Sequence, residues 1–539
     1  MRTTNMNKKI AKTQLLVALM VAVALLLTPA AQAAAPGITG PTFNLTAQPA
    51  FITQPDGSFV YSWGYGCNGA PTGFAPAAIS GGTCPLMQVP GPTLIVTQGQ
   101  TVTVNLANNL PARAGNTSIL FPGFNVTSSG GVAGLITQEA VPATGAGCVP
   151  ATACVSYTFT ATTPGTRAYY SGTQGDLQVE MGLYGAIIVL PSTVPSACTS
   201  GVHATNLTAK QPNQVHAALE GDFRLEAAAY NHPGACYDRE YLFQFSEMDP
   251  RIHREAEQVA TCVAAGAVTC PANMDGVATE PYVPAFFMIN GRSMPDDMDG
   301  NYAPQYPHQP YNGNPHMHPG ELVLLRIIGQ GRWQHPFHEH GNHVRVLARD
   351  GNLIQSATNP ATNLAGPLLF TTTTTPGEAI DGIFYWTGKG LNWDPYGHAP
   401  GTTSATCTPD SNGYNTGAPG AINYFEWCQD HNKPLQATPV GSVGAGGPIT
   451  LPNPNIFANG AWYGGSPYLG PEATVRAVGP TGTTPPSGTV ANSPTDEAGF
   501  AFMWHSHNER EITTNNIFPG GMMMMMLVDS REFVIDESF

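Results

Sequence analysis

AGFAFMWHSH at residues 498–507, followed by GGMMMMMLVD at 520–529, repeats a pattern from the first third of the chain, TPGTRAYYSGT at 163–173 followed by GLYGAIIVLP at 182–191. In both places a short apolar run leads into a small polar motif, and a glycine-initiated apolar strand follows. An internal repeat at this spacing marks two copies of one unit. Upstream, PGPTLIVTQGQTVTVNLANNL at 90–110 matches HPGELVLLRIIGQGRW at 318–333, each a paired-strand edge ahead of a polar segment. Further runs with period-two alternation or β-branched density lie at 59–63, 155–160, 241–245, 286–290, 343–348 and 380–386, bounded by Gly, Pro and Asn turns. Helical periodicity is confined to Arg251 to Ala265. The expected fold is therefore all-β: one β-sandwich domain over residues 34–195 and a second over 210–539. The second copy carries its excess length as a Gly/Pro-rich loop insertion at about 388–496, stapled by Cys407 and Cys428, closing as a lid or subunit contact, or folding as a small third domain.

The start of the chain has the form of a secretory signal peptide. Arg2, Lys8, Lys9 and Lys12 precede an apolar run from Leu15 to Leu27, which ends at the small-residue stretch Ala31-Gln32-Ala33. Cleavage after Ala33 would release a protein into the periplasm or the extracellular space, with no segment long enough for membrane insertion. It would also remove four basic and no acidic side chains, leaving 17 Lys and Arg against 36 Asp and Glu, a net charge of −19. Such a surface repels phosphate backbones and anionic lipid, so no nucleic-acid partner is expected, while cations are attracted. The ten cysteines fall as near neighbours: 67 with 84, 148 with 154, 198 with 236, 262 with 270, 407 with 428. In an oxidising compartment these read as loop-stapling disulfides, and the absence of CxxC spacing argues against a thiolate metal site.

The chemistry concentrates in histidine. HPFHEHG contains His335, His338 and His340, and WHSH contains His505 and His507. Residues two apart on a strand face the same side, so His338 with His340, and His505 with His507, each present a pair of imidazoles. Two facing pairs suit a metal ion partner, and four nitrogens without thiolate favour copper, with zinc the second metal of choice. Buried, hydrogen-bonded histidines are the plainer reading of the same pattern.

HPFHEHG resembles the HPxHxHG signature of the multicopper oxidase family, and WHSH before a Gly-Met strand resembles its closing HCH segment. FFMINGRSMPD at 286–296 and GLYGAIIV are also similar to family segments. The resemblance implies two cupredoxin-like Greek-key domains of the laccase and copper nitrite reductase kind, a homotrimer by family analogy, and copper chemistry. Carried over residue by residue, the family machinery is incomplete. His335 matches one type 1 copper ligand, but the ligand cysteine is replaced by Ser506 and the second histidine by Glu511. Of the four His-x-His pairs around the family's three-copper cluster, the two in the second domain are present as His338, His340, His505 and His507. The first-domain pairs fall on Leu120 with Pro122, and Tyr170 with Gly172.

The expectation is thus an exported family member holding one mononuclear copper in its second domain, type 1 copper and half the cluster ligands being lost. Its rivals are an active copper oxidoreductase using oxygen, with missing ligands from a neighbouring subunit or from His398 and His431 of the insertion, and a non-catalytic scaffold. Glu339, Glu509 and Glu511 stand near the histidines as proton acceptors or, more plainly, as a solvated edge paired with Arg510. His335 and Glu511 together could form a second, weak site. Met522 to Met526 match the core strand GAIIV of the first repeat and read as packing. His316 and His318, near His308, read as a solvated pre-strand loop.

Overall fold

The computed structural model describes residues 34–79, 81–144, 147–200, 220–265, 269–391, 408–416, 425–429, 463, 465–469, 474–475, 490–491, 498–529, 531 and 534–535. The expected signal segment, most of the insertion with His398 and His431, and Cys407 lie outside them. Four sheets build two sandwiches. In the first, a sheet ordered 165–170, 184–190, 94–97, 37–39, 74–75 faces one ordered 59–67, 42–53, 101–108, 154–160, 127–130. In the second, a sheet running 286–289, 239–248, 322–329, 379–385, 344–349 faces one running 316–317, 523–529, 498–506, 335–339, 371–374. Alternation explains the packing. Val102, Val104 and Leu106 point inward from Thr101–Asn108, and Val155, Tyr157 and Phe159 from Cys154–Thr160. Each such side chain contributes about 1.5–3 kcal/mol on burial.

The repeat seen in the sequence is a repeat in space. Gly165–Tyr170 pairs antiparallel with Tyr184–Leu190, as Ala498–Ser506 does with Met523–Asp529. Thr42–Thr53 runs parallel to Thr101–Asn108, as Arg239–Met248 does to Leu322–Gly329. Met522, Met524 and Met526 are buried in the second core with Phe500, Phe502 and Trp504, so the methionine run is packing. The expected near-neighbour disulfides form at 67–84, 148–154, 198–236 and 262–270.

Two expectations change, the extent of the helix and the exposure of His316 and His318. The helix spans Pro250–Thr261 rather than 251–265: Asp249 caps it by accepting from the Arg251 amide at 2.9 Å, and the Cys262–Cys270 staple follows its end. Ile252, Ala256, Met274 and Val277 join the first core although they follow the first strand of the second sandwich, so this excursion straps the two halves together. His316 and His318 are buried, not solvated. His316 Nδ1 lies 2.6 Å from Asp529 Oδ2, and His318 Nε2 lies 2.8 Å from Glu220 Oε2.

Candidate metal centre

His335–Glu339 lies between Thr371–Thr374 and Ala498–Ser506, and its register sets His338 directly opposite His505. Strand parity then does the sorting. His338 and His340 share one face, while His335, Phe337 and Glu339 share the other. Phe337 enters the core, and the Trp504 indole, packed 6.0 Å from it, donates to the His340 carbonyl at 3.0 Å.

The four expected histidines do come together. Ring centres are 4.7 Å apart for His338 and His340, 5.6 Å for His338 and His505, 4.8 Å for His338 and His507, 5.2 Å for His340 and His505, and 5.6 Å for His505 and His507. Four imidazoles sharing one ion through bonds of about 2 Å would have centres about 5 Å apart. His505 Nδ1 donates to the Ser506 carbonyl at 2.7 Å, which leaves the lone pair of the neutral ring on Nε2, and that atom lies 3.3 Å from His340 Nε2. His338 is bonded at both nitrogens, to Thr371 Oγ1 at 2.8 Å and to the Tyr463 hydroxyl at 3.0 Å. Burial, then the surrounding His340, His507 and His505 rings, push the His338 pKa down to about 4; burial also lowers that of His505. His338 and His505 are therefore held neutral near pH 7, the state in which imidazole binds metal. Among the described residues, no group of three or more His, Cys, Asp or Glu side chains already converges in a metal-holding arrangement.

His335 belongs to a different place. Its Nε2 lies 2.8 Å from Glu247 Oε2 and its Nδ1 lies 2.8 Å from Glu511 Oε2, all three side chains being buried. Burial by itself would lower the His335 pKa, but the hydrogen bonds and charges of Glu247 and Glu511 outweigh it and raise the value to about 9. An imidazolium between two carboxylates thus stands where the resemblance led to the expectation of a type 1 copper ligand. Ser506 Oγ also donates to Glu511 Oε2, and Asn508 Nδ2 donates to Glu511 Oε1 at 2.9 Å. Glu247 in turn accepts from the Arg332 and Trp333 amides at 2.6 and 2.9 Å. Gly331 is needed there, since a β-carbon would sit 2.0 Å from Glu247 Oε2. With His335 protonated at both nitrogens between two carboxylates and a hydroxyl in place of the thiolate, these residues do not fit a blue copper ion.

Two carboxylates expected at a solvated edge are buried instead. Glu511 is committed to His335, and Glu339 lies inside, accepting from Thr372, with its pKa raised to about 8 by burial. Arg510 makes no pair with them and donates to the Pro284 carbonyl at 3.0 Å. Glu509 is exposed. In the first sandwich, Leu120 and Tyr170 exchange backbone hydrogen bonds across an isolated bridge, the counterpart of His338 opposite His505, and Gly172 abuts Leu120. Neither Leu120, Pro122 nor Gly172 offers a donor side chain, so the residues present do not fit a three-copper cluster within one chain. Sequence reading missed Glu247, Thr371 and Tyr463. Glu247 is 88 residues from His335 and on the opposite sheet, and Tyr463 comes from the inserted segment.

No curated protein sequence matches the chain. Among solved structures it is similar to the multicopper oxidase mgLAC, with 15% identity and a TM-score of 0.42 over 90% of this chain and 86% of that one. It is also similar to the blue copper oxidase of Nitrosomonas europaea, with 14% identity and a TM-score of 0.41 over 90% and 85% of the two chains. Copper nitrite reductase from the same organism matches at 17% identity and a TM-score of 0.36 over 65% and 85%. Two family models, both described as multicopper oxidase, match residues 87–193 in the first sandwich and 278–380 in the second. One match thus falls in each sandwich, the second of them containing HPFHEHG beside the strand that carries WHSH, and the chain belongs to the multicopper oxidase family.

Proposed function

We propose that this protein is an exported copper-binding member of its family that holds one copper ion at His338, His340, His505 and His507. The observation that carries the reading is the approach of His340 Nε2 to His505 Nε2 at 3.3 Å, with the His505 lone pair fixed toward it. Two donors bound to one ion through bonds of about 2 Å are separated by about 3 Å. The neutral state of His338 and His505, imposed by burial, favours the same role. His507, at the exposed end of its strand, leaves the centre open to small molecules. Copper held by imidazoles supplies Lewis acidity and one-electron redox chemistry. The chain's own part is to fix the rings: Ser506 O orients His505, and Thr371 orients His338. Export is supported by the N-terminal sequence and by the four disulfides found among the described residues, since such bonds persist in oxidising compartments.

On this reading the chain has no long-range electron delivery of the family kind, because His335 is held as an imidazolium by Glu247 and Glu511 and Ser506 offers a hydroxyl where the resemblance calls for a thiolate. Competitive copper titration tests it. The wild type takes up one Cu(II) per chain, and His340→Ala or His505→Ala weakens binding at least about a hundredfold. Equal binding by both variants, or no binding by the wild type, would make the histidines a hydrogen-bonded structural cluster and the protein a scaffold.

A further inference from the structure

The histidine cluster has a neighbour that no part of the two-sandwich repeat supplies. Tyr463 enters from the segment inserted after residue 388 and is fixed at its backbone, where the Gly341 amide donates to the Tyr463 carbonyl at 3.1 Å. That amide ends the HPFHEHG motif, so the anchor lies one residue from His340. The phenol ring stands 5.0 Å from His340, tilted by 41°, and 5.8 Å from His338, edge-on. Its hydroxyl reaches His338 Nε2 at 3.0 Å. Phe370 flanks the other side of His338 at 5.7 Å, but it has no donor atom. A ring used only for packing would need no hydroxyl aimed at an imidazole nitrogen.

We infer that Tyr463 is a fifth donor to the copper centre, its phenol oxygen binding Cu(II) as phenolate beside His338 Nε2. The inference rests on the four-histidine reading. It is carried by a second donor pair at the separation that donors to one ion adopt, 3.0 Å for Tyr463 and His338 against 3.3 Å for His340 and His505. On binding, the tyrosine O–H bond breaks, an oxygen–copper bond forms and the proton leaves to water. No electron changes hands. Metal binding to protonated ligands releases protons in this way. Tyr463 would then add one ligand that neither copy of the sandwich repeat supplies.

Copper-loaded wild type and Tyr463→Phe decide the matter, with copper content measured by mass spectrometry and each sample examined by visible absorption. The wild type should show a phenolate-to-copper charge-transfer band. Y463F should lack it, still take one copper per chain, and bind that copper roughly ten- to a hundredfold more weakly. Resonance Raman of the wild type grown with ring-deuterated tyrosine gives the answer without a variant, because phenolate ring modes enhanced in that band must shift with the label. Superimposable spectra of wild type and variant, or no label-sensitive modes, would overturn the assignment while leaving the four-histidine site intact. Absence of copper from both proteins would overturn the four-histidine reading, and this one with it.

Discussion

His335 shows how one residue can change meaning while keeping its place. As the imidazolium between Glu247 and Glu511 it supplies the positive charge that two buried carboxylates require, where the sequence pattern read as a copper ligand. Its pKa, raised to about 9, sits above the ordinary value near 6.5, so its contribution to stability is complete below about pH 6.5 and is lost as the pH rises through about 9. Denaturant unfolding across that window should show the wild type losing stability and His335→Gln losing less. At pH 6, His335→Phe should cost about 3–5 kcal/mol, because two buried carboxylates then face each other without a cation. Ser506→Cys alone, loaded with copper, should show the wild-type spectrum with no added thiolate-to-copper blue band; such a band would mean that His335 can be drawn from its carboxylates. The His-x-His pairs were legible from the sequence because strand parity is local. Glu247 was not, since only the closure of two sheets brings it to His335.

At the scale of elements, the hairpin of Ala498–Ser506 and Met523–Asp529 presents histidines outward at one end and an aromatic and methionine layer inward along its length. Period-two alternation made both faces readable, and the match to GAIIV identified the methionines as core. Met524→Ala should therefore destabilise the protein by about 2–5 kcal/mol, measured by denaturant unfolding, with copper affinity unchanged. A loss of copper binding without loss of stability would assign the thioethers to metal instead. The burial of His316 and His318 was hidden for a physical reason. Their partners, Asp529 and Glu220, arrive from the last core strand and from the segment joining the two sandwiches, neither of which the PHMHPG motif reveals.

For the whole molecule, the two sandwiches are bolted by buried polar contacts. Thr166 of the first donates from its backbone and hydroxyl to Asp381 of the second at 3.1 and 2.6 Å, and Tyr230 and Arg326 converge on the same residue. Asp381→Ala should cost about 3–5 kcal/mol by leaving Arg326 with reduced compensation, and calorimetry should show whether the halves still unfold together. The family's oxygen chemistry needs ligands from both halves, and Leu120, Pro122 and Gly172 provide none. Copper-loaded protein given a phenolic donor should accordingly take up no oxygen beyond the rate of free copper. The repeat and the ligand losses were legible because they are patterns of residue type; the Tyr463 contact was not, because it depends on where an inserted segment returns. The central claim is tested most directly by metal analysis of the purified mature protein combined with electron paramagnetic resonance. One copper per chain, fully visible as an isolated Cu(II) signal and without the narrow hyperfine splitting of a thiolate-bound type 1 ion, is the predicted result. A copper-free protein after loading, or three or more coppers per chain with part of them silent, would contradict it.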